Sequence, residues 1–189
     1  AEAYDALARM HAARRESSIA IQWLEKRLAA TPVGGRAETV ARLSAEYLRG
    51  GDRARALEAL RRGLDEEPSA RQLRDLLASL FREAGAWPAL AELLAEGAAH
   101  ESDPAVRIDW LREGAELQSR QLDDPGLAVP LFEEAAQLAE ILPVQPGKDR
   151  VRPLKIALAD SLRRAGRGEE AHTLLSALVE WYGRRRPPE

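Results

Sequence analysis

The residues of this chain best suited to acid–base or metal chemistry near neutral pH are three histidines, His11, His100 and His172. They lie far apart in sequence, and none has a second histidine close by, so no metal-ligand spacing forms. Cysteine is absent, which removes thiolate nucleophiles, thiolate ligands and disulfides together and leaves the redox compartment open. The stretch QPGK at 145–148 ends like a phosphate-binding loop but lacks both the earlier glycine and the following Ser or Thr. Paired carboxylates such as Glu66 with Glu67 and Glu133 with Glu134 read as exposed helix charges, and nothing aligns two acids for hydrolysis. Catalysis, a metal and a cofactor are therefore not expected.

Arginine is the remaining chemistry. Five arginines fall between Leu48 and Pro68, in LRGGDRARALEALRRGLDEEP, a density that raises the question of a nucleic-acid patch. The charge of the whole chain argues against it. Its 28 basic and 31 acidic residues give a formal net charge of -3, so no global positive field exists to gather phosphates. Trp23, Trp87, Trp110 and Trp181 share no repeat position and so form no ladder on which bases could stack; packing between hairpins is expected for each. Lysine occurs only at Lys26, Lys148 and Lys155, a bias that fits genomic base composition.

These side chains must be positioned by helices. Hydrophobic residues make up 45% and charged residues 31%, too apolar for disorder, yet no apolar run approaches the roughly 18 residues of a membrane span. Alternating β-branched runs are missing, while Ala, Leu, Arg and Glu, all good helix formers, dominate. The first residues, AEAYDALARMHAARRE, read as an amphipathic helix and not as a signal peptide.

A repeat organises the helices. Ala20 with Leu24, Ala56 with Leu60, Leu90 with Leu94, Ala128 with Phe132 and Ala171 with Leu175 are pairs four residues apart on one helical face. Thirteen residues before each anchor stands Leu7, Leu43, Leu77, Ala115 or Leu158, followed by Ala8, Ser44, Ala78, Glu116 or Ala159. Five residues before the anchor lies a turn position: Gly51, Gly85 and Gly166 suit the left-handed conformation there, and Arg15 and Asp123 occupy it in the other two units. Pro32, Pro68, Pro104 and Pro143 stop the units. The anchors are 36, 34, 38 and 43 residues apart, room for two helices each time.

The pattern resembles the tetratricopeptide repeat (TPR), a helical hairpin. The second unit carries it best, through Val40, Leu43, Ser44, Tyr47, Gly51, Ala56, Leu60 and Pro68. The first follows through Tyr4, Leu7, Ala8, His11, Ala20, Leu24 and Pro32, which places His11 at an aromatic core position; the fifth follows through Leu158, Ala159, Leu162, Gly166, Ala171 and Leu175. In the third, Leu77, Ala78, Phe81 and Gly85 match, while Leu90 replaces the expected Ala and implies a wider helix separation. The fourth puts Glu116 and Ser119 on core places unless its turn is one residue longer, which would put Leu111, Ala115 and Gln118 there. HAT-type and Sel1-like hairpins remain alternatives for the third and fourth units.

The resemblance implies an all-α, right-handed α-solenoid of about five antiparallel hairpins at 1–34, 35–69, 70–104, 105–140 and 150–183. A flexible connection at 141–150 holds two prolines and a glycine. It further implies a concave groove lined by Asp5 and Arg9, Ala45 and Arg49, Asp75 and Arg82, Arg112 and Glu116, and Asp160 and Arg163. Arginines so spaced suit carboxylates or acidic peptides, or they pair with neighbouring acids on solvated helices. The family's asparagine-based clamp for a C-terminal carboxylate is excluded, because this chain contains no Asn. The expected function is a protein-interaction scaffold with a protein or peptide partner, in the cytoplasm by preference, with no membrane insertion. A nucleic-acid-binding repeat and a ligand-sensing repeat are the alternatives. The chain is expected to be a piece of a longer protein, with Val179, Trp181 and Tyr182 awaiting a partner helix that a second copy could supply, and with YGRRRPPE as a basic connection.

Local chemistry refines the helix starts. Ser17 or Ser18 is expected to cap the second helix, and Asp124–Pro125 to be an N-cap followed by the first helical residue. Pro88 should sit near a start. His100 belongs at a helix end, where its charge is favoured, and His172 on a helix surface. Pro130 should delay or kink its helix, since an interior proline costs about 3 kcal/mol or more. In the arginine-rich stretch, Glu58 is placed to meet Arg62 and Arg61 to meet Asp65, leaving Arg49 for the groove.

Overall fold

A computed structural model describes residues 2–143 and 149–183. Among them are ten α-helices and no strand: α1 (Glu2–Ala13), α2 (Ser17–Ala29), α3 (Ala37–Arg49), α4 (Arg53–Glu66), α5 (Arg71–Ala84), α6 (Trp87–His100), α7 (Pro104–Arg120), α8 (Pro125–Ile141), α9 (Val151–Arg164) and α10 (Gly168–Gly183). QPGK and the arginines of YGRRRPPE lie outside the described residues, as does half of the connection at 141–150. The helices fall into two compact units, Ala1–Ala84 with α1 to α5 and Gly85–Glu189 with α6 to α10. The third expected hairpin is thereby divided: α5 belongs to the first unit and α6 to the second.

All five turn positions adopt positive φ: Arg15 (60°), Gly51 (80°), Gly85 (65°), Asp123 (53°) and Gly166 (80°). Glycine reaches this conformation freely, whereas Arg15 and Asp123 must tolerate the clash of Cβ with the following carbonyl. The turn is therefore set by backbone geometry common to all five turn positions, and residue type follows it only in three. The α7–α8 turn spans four residues, 121–124, against three at 14–16, 50–52 and 165–167. As this longer turn requires, Leu111 and Ala115 are buried while Glu116 is half-exposed; Ser119 is buried as well, with Gln118 only partly so.

The anchors form the cores. In the first unit Ala8, Leu24, Leu43, Tyr47 and Ala56 make one cluster, with Ile21, Trp23, Leu28 and Ala59 packed on it. The second unit has a longer cluster, running from Ala98 through Leu111, Ala115, Ala128, Phe132 and Leu158 to Ala171. Small anchors let paired helices approach closely. The same logic governs Gly63 in α4, where an added Cβ would lie 2.7 Å from Leu73 Cδ1 and 2.9 Å from Val40 Cγ1. At Gly114 in α7 there is room, the nearest neighbours being 3.7 to 3.8 Å away.

Several local expectations are corrected. Ser17 begins α2 but does not cap it; Glu16 occupies the N-cap without a side-chain cap bond. Pro104 opens α7 instead of stopping α6, because Asp103 accepts a hydrogen bond from the Ala105 amide at 2.9 Å. Pro130 does not delay α8. Asp124, accepting from Leu127 N at 3.1 Å, and Pro125 at the first turn fix the start ahead of it, so Pro130 lies inside the helix. Pro88 does sit at the start of α6. Trp23 stacks on Tyr4 with centroids 6.0 Å apart and packs on the cluster that includes Leu43, Tyr47 and Ala56 of the next hairpin. Trp110 is buried, whereas Trp181 is exposed.

Candidate binding clefts

The first helix of a hairpin spends one side on its own partner and leaves another side to solvent, so groove residues are those spaced along that second side. Arg112 and Glu116 of α7, and Asp160 and Arg163 of α9, meet this description within the second unit. Glu116 and Asp160 line one cleft of about 560 Å³, together with Ser119, Arg120, Phe132, Pro153, Ile156, Ala157 and Ser161. Its apolar lining is the buried Phe132, the half-buried Ala157 and the exposed Pro153 and Ile156. The hydroxyls of Ser119 and Ser161 are buried 3.5 Å apart, and Arg164 donates to the Ser119 hydroxyl at 2.8 Å and to its carbonyl at 2.6 Å. Arg164 also reaches Asp123 in the α7–α8 turn, so it ties α9 to the end of α7.

Arginines flank this cleft, and each has an acid on its own helix. Arg112 lies 3.7 Å from both Asp109 and Glu116, and Arg163 donates to Asp160 at 2.8 Å. Such exposed one-turn pairs are worth about 0.2 to 0.5 kcal/mol. A bidentate bond from the same guanidinium to a ligand carboxylate is charge-assisted on both sides and stronger, about 1.5 to 3 kcal/mol. Resident pairs this weak leave the guanidinium groups able to exchange partners.

The first unit holds Arg9, Arg49, Asp75 and Arg82 on α1, α3 and α5. Arg9 pairs with Asp5 at 2.5 Å, and both line a smaller cleft of about 330 Å³ with Glu2, Ala6 and Arg27. Asp5 is also the shared acceptor of Arg27 from α2 and Arg42 from α3. Burial alone would raise its pKa, but the hydrogen bond from Arg42 and the charges of Arg42, Arg27 and Arg9 together hold it below the ordinary aspartate value. Asp5 is thus a joint between three helices more than a ligand contact. Arg49 is bound to the buried Glu46, and Asp75 lies 3.8 Å from Arg71. Arg82 is exposed in the last turn of α5.

The arginine-rich stretch is likewise absorbed locally, with different partners than expected. Arg62 meets Glu66 at 3.4 Å, and Arg61 stands 5.4 Å over the Phe81 ring. His11 is half-buried with Nδ1 2.5 Å from Glu16, His100 ends α6 and His172 is exposed on α10. Among the described residues no group of three or more His, Cys, Asp or Glu could hold a metal ion, and no helix is long and apolar enough to cross a membrane.

The cleft residues that sequence reasoning missed are Phe132, Pro153, Ile156 and Ala157. Phe132 was visible only as a core anchor, and Ile156 carried a faint signal: an isoleucine four residues before the groove position Asp160, on a face otherwise polar. A larger cavity of about 630 Å³ lies between α8, α9 and α10, walled by Lys155, Glu140, Asp149, Trp181 and Tyr182. There the Tyr182 hydroxyl donates to Asp149, and Lys155 pairs with Glu140 at 2.5 Å.

No protein-family model and no curated protein matches the chain. Solved structures do. A MamA structure from AMB-1 is 21% identical with a TM-score of 0.51, spanning 94% of this chain and 88% of its own. Nearly identical TPR-like repeats of a Podosopora anserina protein, described as a kinesin light chain, are 20% identical with a TM-score of 0.50 over 98% of this chain and 97% of theirs. A mutant of MamA gives 19% and 0.50 over 95% and 91%. The chain has the TPR-like, all-α helical-repeat fold.

Proposed function

We propose that this TPR-like chain is a single array of repeats acting as a non-catalytic scaffold, and that its ligand is a protein or peptide segment held in the α7–α9 cleft. The observation that carries the reading is the composition of that cleft. An apolar lining of Phe132, Pro153, Ile156 and Ala157 accepts one hydrophobic side chain. Glu116, Asp160 and Arg120 at the rim, with Arg112 and Arg163 beside them, recognise charges of both signs on the flanking residues. A ligand of this kind is a peptide with an apolar anchor between charged neighbours. A bare phosphate chain has no use for the apolar lining and would meet two carboxylates at the rim.

Affinity capture with cross-linking from the native source tests this, comparing the unmodified chain with Ile156→Glu and with Arg112→Glu combined with Arg163→Glu. Each of these positions is solvent-exposed, so the variants should keep the native helix content by circular dichroism. The expected outcome is loss of the same captured proteins by both variants, with cross-links mapping to α7 and α9. An unchanged set of captured proteins, or tight salt-sensitive binding to single-stranded RNA, would overturn the reading.

A further inference from the structure

The repeat register allows the same position to be compared in every hairpin, and it isolates two faces that differ from all their equivalents. On the second helix of each hairpin, the residue four after the anchor is Leu24, Leu60, Leu94, Phe132 or Leu175. The first four are at most 2% exposed, whereas Leu175 is 41% exposed. Eight after the anchor stand Leu28, Leu64, Ala98, Ala136 and Val179; Leu28 is partly buried and the next three are buried, but Val179 is 72% exposed. Seven after it, Gly63, Gly97 and Ala135 are buried and Arg27 partly so, all small except Arg27, while α10 carries the half-exposed Leu178. One face of α10 is thus a stripe of large apolar side chains left uncovered where the equivalent stripe elsewhere is closed.

The first helices show the reciprocal exception. Two positions seven residues apart are buried in every inner copy: Thr39 and Glu46 in α3, Leu73 and Leu80 in α5, Trp110 and Leu117 in α7, Leu154 and Ser161 in α9. In α1 the same positions are Ala3, which is exposed, and Met10, which is 39% exposed; Leu7, equivalent to the buried Leu43 and Leu158, is only half-buried.

Contacts within each unit show what normally closes these two faces: each other. α3 packs on α2, α7 on α6 and α9 on α8. In the α6–α7 pair, Gly114 of α7 approaches Leu94 Cβ, the member of the stripe equivalent to Leu175. The chain therefore carries both halves of its own stacking interface, one uncovered on α1 and one on α10.

We infer that a second copy of this chain supplies the missing half, the α10 face of one copy docking on the α1 face of the next in the manner of α8 on α9. Such a contact joins two different surfaces, so it is heterologous, and each added copy leaves a free α1 and a free α10. Association continues past the dimer as concentration rises. The contact would place Leu175, Leu178 and Val179 against Ala3, Leu7 and Met10, apolar on both sides.

Sedimentation velocity on the intact chain over a wide concentration range tests the inference with Val179→Glu, which blocks the α10 face, and Met10→Glu, which blocks the α1 face. Unmodified chain should grow from monomer through dimer to larger species, and each variant alone should associate about tenfold more weakly or not at all. An equimolar mixture of the two should give a species of two chains and nothing larger, because one free α10 face meets one free α1 face. Val179→Ser and Met10→Ser, with thermal melts matching the unmodified chain, separate loss of docking from loss of fold. A chain that stays monomeric throughout would overturn the inference. So would Met10→Glu that self-associates as tightly as the unmodified chain, which would show α10 meeting α10, or Val179→Glu that does.

Discussion

The two units use one hairpin design but hold it together differently. In the first, polar groups occupy the joints. Asp5 is shared by arginines of three helices, the Tyr47 hydroxyl donates to Glu25 of α2 at 2.9 Å, and Arg36 binds Glu66 at 2.8 Å while its amide donates to Glu67 at 2.7 Å. The stacking positions of α3 are themselves polar, Thr39 and Glu46, both buried. In the second unit those positions are Trp110, Leu117 and Leu154, with Ser161 the exception, over a continuous apolar cluster. Ion pairs such as Arg107 with Glu134 lie toward its surface. A TPR-like scaffold thus tolerates exchange of apolar stacking for charge at the same geometric position, provided that each buried charge finds a partner.

The largest expected contrast comes from emptying the apolar cluster. Phe132→Ala should cost about 3 to 5 kcal/mol, with faster hydrogen exchange in α7 to α9 and little change in α1 to α3. If protection fell equally in both units, they would be unfolding as one cooperative body. Next are two glycines of opposite sign. Gly63→Ala should destabilise by about 1 to 2 kcal/mol, because overpacking against Val40 and Leu73 outweighs the gain in helix propensity. Gly114→Ala, with room for its methyl, should stabilise by about 0.5 to 1 kcal/mol. Denaturant melts of the two variants check both signs.

The charged joints should make the first unit the pH-sensitive one. Asp5 has a lowered pKa in the folded chain, so its contribution is present above the unfolded aspartate value and is lost as pH falls through the folded one, in the acid range below about pH 4. Asp5→Asn should remove that acid dependence and cost about 1 to 2 kcal/mol at neutral pH. At the alkaline end, burial, then the hydrogen bond to Glu25 and its charge, push the Tyr47 phenol up to about 12. A raised pKa stabilises below the unfolded value, about 10, and that contribution disappears as pH rises toward 12. Protection factors in α1 to α4, taken relative to the intrinsic exchange rate at each pH, should fall at both extremes, and Tyr47→Phe should abolish the alkaline part. An effect as small as that of Gly114→Ala is expected at the turns: Arg15→Gly should stabilise by about 0.5 to 1 kcal/mol by relieving a left-handed non-glycine.

The sequence announces the anchors because small-then-large pairs recur with the turn at a fixed distance, and burial at Ala20, Ala56, Leu90 and Ala128 is complete. The identity of the fold is legible for the same reason. Ion-pair partners are not: Arg62 has acids at both Glu58 and Glu66 within one turn, and only side-chain packing chooses Glu66. Nor is the α7–α9 cleft, since its lining includes Phe132, a buried residue whose anchor role hides its second place beside the cleft. Pro130 misleads because local propensity favours a break, while the Asp124 cap and the burial of Ala128 and Val129 before it hold the helix. The division after Ala84 has no linker composition to betray it, as Gly85 is also a repeat turn.

The left-handed residue at every hairpin turn has a consequence for how such chains are found. At Arg15 and Asp123 the torsion angle survives where its usual glycine does not, so the hairpin's address is written in a dihedral that residue matching cannot read. Matching by residue type misses two of the five turn positions at that point. A search for helix pairs whose connecting turn holds a residue of positive φ, five before a buried anchor, keeps all five positions.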